Sequence, residues 1–99
     1  MSLNPKQKKY LRKLGHGLRP VIMIAEQGLK DSLIDATREA LVAHELIKIR
    51  VRVDDRDERA RLIESLREAT NAETVSRIGG TALLFKRNRD RPRIDFQNA

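Results

Sequence analysis

The sequence predicts a two-layer α/β domain with element order α-β-α-β-α-β-β and a mixed four-stranded sheet. Three observations carry that prediction. Ile47-Lys-Ile-Arg-Val-Arg-Val53 alternates apolar and basic residues strictly, the period-two pattern of a strand with one buried face. Pro20-Val-Ile-Met-Ile24 is a short apolar run followed by a turn and then by helical periodicity, which is a β-α unit. Gly79-Gly80 separates two strand-like runs, the signature of a tight hairpin. Right-handed crossovers then place the second and third helices on the same side of the sheet.

Each element has local reasons. Asn4-Pro5-Lys6-Gln7 starts the first helix: Asn4 caps, Pro5 suits the first helical position, and Gln7 completes a capping box. The helix is expected to run to Gly15–Gly17, with Arg19-Pro20 closing it. At 100° per residue Leu11, Leu14 and Leu18 share one side, while Lys6, Lys9, Lys13 and His16 lie opposite with Arg12 beside them. After the strand 20–24, Ala25-Glu-Gln-Gly28 is the turn, and Leu29 to about His44 is the second helix through Leu33, Ala36, Thr37, Ala40 and Leu41. In the strand 47–53, Ile47, Ile49, Val51 and Val53 face the core, leaving Lys48, Arg50 and Arg52 on a face open to solvent. Asp54-Asp-Arg-Asp57-Glu58 opens the third helix with acids that suit its dipole, and the helix continues to about Thr70. Thr74–Ile78 and Thr81–Arg87 are the last two strands. The tail from Asn88 to Ala99 is expected to be basic and partly mobile, with Ile94 and Phe96 able to pin it.

Ninety-nine residues make one domain, 1–99. The absence of cysteine excludes disulfides, thiolate zinc sites and a cysteine nucleophile. No apolar run approaches the length of a membrane span, and charges occupy the N-terminus where a signal peptide needs apolar residues, so the expectation is cytoplasmic with no membrane.

The net charge of +7 is unevenly spread. Residues 1–19 carry six lysines and arginines and no acid, and residues 46–53 and 74–87 each carry +3. The stretches 20–45 and 54–73, which hold the second and third helices, are each −3. A solubility surface mixes signs more evenly, so one basic face is expected. Lysines at i, i+3 and i+7 can follow a phosphate ladder, extended by Arg12, His16 and Arg19. The turn Ala25, Glu26, Gln27, Gly28 precedes a helix N-terminus, where free N–H groups favour an anion, with Lys30 beside it. Lys48, Arg50 and Arg52 form a stripe that Arg77, Lys86 and Arg87 are expected to join from neighbouring strands. Tyr10, Phe85 and Phe96 are the only aromatics, too few for a base-stacking platform, so readout rests on phosphates, 2′-hydroxyls and duplex shape.

Catalysis finds no support. Asp54, Asp55, Asp57 and Glu58 lack the glycine and spacing of a calcium loop and are read as helix caps. His44-Glu45 lacks the second histidine of a zinc helix, and Gly15-His-Gly17 follows a helix where a dinucleotide turn follows a strand. No metal, cofactor or catalytic residue is expected.

Taken in order, Lys6-Gln-Lys8, Leu14-Gly-His16-Gly-Leu18-Arg-Pro20-Val, Gln27-Gly28-Leu29, His44-Glu-Leu46-Ile-Lys48 and Ile78-Gly79 with Leu83-Leu-Phe85-Lys-Arg87 resemble the YhbY family, single-domain bacterial proteins of the CRM type (chloroplast RNA splicing and ribosome maturation). The resemblance implies a fold similar to the C-terminal domain of the third bacterial initiation factor. It also implies RNA binding and association with precursors of the large ribosomal subunit, with ribosomal RNA and the pre-ribosomal particle as partners of a monomer. The family's Gly-x-x-Gly loop, likened to the backbone clamp of KH domains, falls on Ala25 to Gly28, with alanine in place of the first glycine. Phe85 stands where the family commonly has tyrosine. A competing expectation is an adaptor that docks on ribosomal or other acidic protein surfaces, with incidental RNA affinity.

Overall fold

The computed structural model describes residues 3–96. The elements are α1 (Pro5–Gly15), β1 (Pro20–Ile24), α2 (Asp31–His44), β2 (Leu46–Val51), α3 (Arg56–Thr70), β3 (Glu73–Ile78) and β4 (Thr81–Phe85). This is the expected order, with boundaries moved by one or two residues at several ends. The sheet runs β1-β2-β4-β3, with β1 parallel to β2 and the other two pairings antiparallel.

The alternation in β2 sorts its residues as the sequence predicts. Ile47, Ile49 and Val51 join Ile22, Ile24, Ala82 and Leu84 in a core covered by Leu41 of α2 and by Ile63 and Leu66 of α3. Burying an Ile or Leu side chain of this kind contributes about 1.5–3 kcal/mol. Thr37 and Thr70 are buried beside that core, and their hydroxyls donate to the carbonyls of Leu33 (2.8 Å) and Leu66 (2.9 Å), so neither leaves a polar group unpaired. The third helix is capped at Asp55, whose carboxylate accepts from the Asp57 N–H, and ends at Asn71 with φ 57°.

The opposite face is less open than the alternation in 47–53 implied. Strand β4 is apolar at every position from Ala82 to Phe85, so it presents apolar side chains to both faces. Leu83 and Phe85 meet Leu11 of α1, Leu46, Val75 and Leu3 in a second core. Ile94 and Phe96 pack against it, so residues 88–96 lie on this face as well; the rest of the expected tail, 97–99, is outside the described residues. Helix α1 thus crosses the face that carries Lys48 and Arg50, rather than standing apart from it.

Candidate nucleic-acid interface

Helix α1 begins as the sequence requires. The Asn4 side chain accepts from the Gln7 N–H (2.8 Å) and the Gln7 side chain accepts from the Asn4 N–H (3.0 Å), closing the capping box. Lys6, Lys9, Arg12, Lys13 and His16 are exposed. The buried line differs from the expected one. Leu11 and Gly15 are buried, whereas Leu14 and Leu18 are 38% and 36% exposed. The reason is Gly15: a Cβ there would lie 2.3 Å from Cδ1 of Leu83, so the missing side chain lets α1 settle onto β4 along Leu11 and Gly15. Leu14 is rolled to the flank. Two tight turns, Gly17 N–H to the Leu14 carbonyl (3.3 Å) and Leu18 N–H to the Gly15 carbonyl (3.1 Å), then end the helix.

That close approach brings cations together from elements distant in sequence. Arg12 of α1, His16 at its C-terminal cap and Lys48 of β2 line one recess beside Ser76, over Leu83. Lys48 pairs with Pro20 on one side and with Leu83 on the other. Arg50 lies on the same face as Lys48, paired with Met23 and Thr81, and is exposed. Arg52 follows the strand, its N–H donating to the Ile24 carbonyl (2.7 Å), and its side chain is exposed. Arg19 lies with Lys48 on a second, larger groove.

Two residues of the expected basic stripe are placed elsewhere. Arg77 pairs with Ala82, whose side chain is in the core under α2 and α3, so Arg77 shares that face and lines a recess with Arg56 and Arg59. An irregularity between Thr74 and Ser76 sets this register, which simple alternation along β3 could not reveal. Arg87 is half-buried and engaged. Its guanidinium donates to the Ile94 carbonyl (2.6 Å) and to Glu45 Oε1 (3.3 Å), and it lies 5.3 Å from the centroid of the Phe96 ring.

Glu45 is the residue that sequence reasoning missed. Nothing local marks it as structural, yet it is fully buried at the C-terminal end of α2 with φ 62°. Its carboxylate accepts from the N–H groups of Asn88 (2.7 Å), Arg93 (2.5 Å) and Ile94 (2.8 Å) as well as from Arg87. A buried charge requires partners of this kind, and all four come from more than forty positions downstream. No local pattern marks such a pairing. Through it, Arg93 and Ile94 are brought to the groove that holds Arg19 and Lys48. Phe96 is fixed in turn by edge contacts to Phe85 (5.7 Å) and Tyr10 (6.3 Å).

The loop after β1 forms the expected turn, but the helix that follows starts later than expected. The Gly28 N–H closes a turn on the Ala25 carbonyl (3.0 Å), and Gly28 has φ +79°, a left-handed conformation that favours glycine. Among the described residues the positive-φ residues other than glycine are Glu45 and Asn71, so Ala25 occupies ordinary backbone space. Helix α2 starts at Asp31, not at Leu29, and its cap position is Lys30, which contributes no side-chain capping bond. Gln27, Gly28, Lys30 and Ser32 line a common recess with Val21 and Met23, while Glu26 is exposed beside it.

Charge is divided between the two faces. Ion pairs gather on α2, on α3 and at Glu45: Arg38–Asp35 (3.2 Å), Arg61–Glu58, Arg67 with Glu64 (2.7 Å) and Glu68 (3.8 Å), and Arg87–Glu45. The hydrogen-bonding guanidinium of Arg67 holds the Glu64 carboxyl below the usual carboxylate range. None of these pairs involves Lys6, Lys9, Arg12, Lys13, Arg19, Lys48 or Arg50.

The sequence profile of the CRS1/YhbY (CRM) domain matches residues 3–86. The chain belongs to that family. This CRM domain is 36% identical over 88 residues to a Pseudomonas aeruginosa protein named a probable RNA-binding protein, covering 89% of this chain and 85% of the relative. It is 32% identical over 94 residues to the probable RNA-binding protein YqeI of Bacillus subtilis, covering 95% and 98%. A Haemophilus influenzae protein named an RNA-binding protein is 35% identical over 85 residues, covering 86% of each. The solution structure of a Staphylococcus aureus protein, described as a candidate RNA binder, superimposes with a TM-score of 0.77 at 34% identity, over 89% of this CRM domain and 92% of that chain. The matched span stops at residue 86, so Arg87, Asn88, Arg93 and Ile94, the partners of Glu45, lie beyond it in this chain.

Proposed function

We propose that this CRM domain is an RNA-binding module that grips backbone phosphates along the α1 face of the sheet. The observation that carries the reading is the convergence of Arg12, His16 and Lys48 on one recess, beside α1 cations that take part in none of the ion pairs of α2, α3 and Glu45. Lys6, Lys9 and Lys13 prolong that face along α1. Arg19, Arg50 and Arg52 extend it from β1 and β2, and the Gln27–Lys30 segment adds backbone donors. The names of the relatives support RNA as the polyanion. If about five phosphates are neutralised, log K should fall with log salt at a slope of about −3.5 to −4.5. A slope near zero would sink the mechanism.

We further infer that the RNA is a precursor of the large ribosomal subunit, bound in the cytosol by a monomer. Crosslinking in cells with sequencing of the captured RNA, alongside sucrose-gradient fractionation, tests this. The expected result is reads concentrated on large-subunit ribosomal RNA and protein in pre-subunit fractions. Protein confined to the top of the gradient without enriched RNA would favour an adaptor.

A further inference from the structure

Resting on the RNA-binding reading, we propose that the groove between the end of α1 and the Glu45-pinned tail receives one unpaired nucleobase of the bound RNA, adding a base contact to an interface otherwise made of phosphate contacts.

The groove has a volume of about 550 Å³. Its apolar side is made by Leu14, Leu18 and Val21, which are 38%, 36% and 53% exposed, with Ile94 facing them from the tail. Exposed large apolar side chains scattered singly need no explanation, but three gathered in one concave site mark a binding surface. The cations lining it are Arg19, Lys48 and Arg93, and no acid is among its lining residues. An apolar slot edged only by positive charge is complementary to a flat, weakly polar ring that carries phosphates on either side. A nucleotide has that composition; an apolar peptide would leave the cations unanswered. Arginine planes also stack on bases, which gives Arg19 and Arg93 a second use here.

Continuity supplies the remaining argument. Lys48 lines both this groove and the recess with Arg12 and His16. A strand tracking phosphates along α1 is therefore delivered to the mouth of the slot. The base must already be unstacked, since extracting a paired one costs free energy that aliphatic walls would not return. The ligand class is accordingly RNA with a bulged or looped-out nucleotide, and Glu45 is a positioning residue that holds Arg93 and Ile94 in place.

The test uses the full chain and two RNA duplexes, one with a single bulged nucleotide and one whose bulged nucleotide is abasic, so that phosphate number is identical. The base-bearing RNA should bind roughly fivefold to tenfold tighter. That ratio should fall toward one in Leu18→Ser/Val21→Ser and persist in Val42→Ser, an exposed apolar position on α2 outside the groove. With 2-aminopurine as the bulged base, the unmodified protein should shift its emission and shield it from acrylamide, a readout that needs no variant. Equal affinity for the two RNAs, with a steep salt slope retained, would overturn the nucleobase assignment, leave the phosphate reading intact and give the groove to a protein partner. Loss of salt-dependent binding to both RNAs would overturn the RNA reading and this inference together.

Discussion

Gly15 faces Leu83 with no room for a Cβ: an added one would lie 2.3 Å from Cδ1 and 2.8 Å from Cδ2 of that leucine. The pair marks the close approach of α1 to β4. Both residues line the recess shared by Arg12, His16 and Lys48, so this packing contact bears directly on the geometry of the proposed interface.

Gly15→Ala should destabilise the protein. Alanine gains about 1 kcal/mol of helix propensity over glycine, but overpacking a filled core costs about 1–3 kcal/mol. A net loss of about 1 kcal/mol by urea unfolding is expected. In a Leu83→Ala background, itself costing about 2–5 kcal/mol, the same change should become neutral or stabilising. Additive effects would mean that the contact is not the cause.

Glu45→Ala should leave three N–H donors and a guanidinium without their acceptor. Losing one side of a buried charge network costs about 3–5 kcal/mol. Amide hydrogen exchange should accelerate first at Arg93 and Ile94. Unchanged protection there would show that the tail is held by Phe96 alone.

Lys9→Ala/Lys13→Ala should flatten the salt dependence of RNA binding by roughly one unit of slope per phosphate contact removed. Arg38→Ala on α2, a cation already paired with Asp35, serves as the comparison and should leave the slope alone. Equal slopes for both variants would move the footprint off α1.

Arg87→Ala tests a residue that the sequence assigned to the interface and the structure assigns to the tail anchor. Stability should drop by about 1–3 kcal/mol, because the Glu45 carboxylate and the Ile94 carbonyl each lose a donor. The salt slope for RNA should not change. A flatter slope would return Arg87 to the footprint.

Glu64 supplies a pH signature. Its carboxyl is held below the ordinary range chiefly by the Arg67 hydrogen bond, so the stabilisation is present at neutral pH and lost as pH falls through that depressed value. Arg67→Ala should raise the Glu64 titration midpoint toward the ordinary carboxylate value, measured by NMR. An unmoved midpoint would show that the pair is not populated in solution.

The element order, the pairing of Asn4 with Gln7, the inward set Ile47, Ile49 and Val51 and the family itself were all legible from the chain alone. The structural signals are local: caps act over three residues, strand alternation over two, and a βα turn over four, while the family shows in the order of short motifs along the chain. The basic character of the α1 face was legible for the same reason, since charge along one helix needs no tertiary knowledge. What the chain could not disclose depends on long-range packing. Leu14 and Leu18 looked like core because helical angle alone cannot know that Gly15 lets Leu83 take the contact line. Arg77 looked like part of the stripe because an irregularity within β3 is settled by its partner strand. Arg87 reads as part of the basic stripe and nothing local marks Glu45, and only the return of the tail across the sheet makes them an anchor. Local periodicity reports which side of an element is apolar; which neighbour it meets, and which charges are thereby left free, is decided by the close packing of the whole domain.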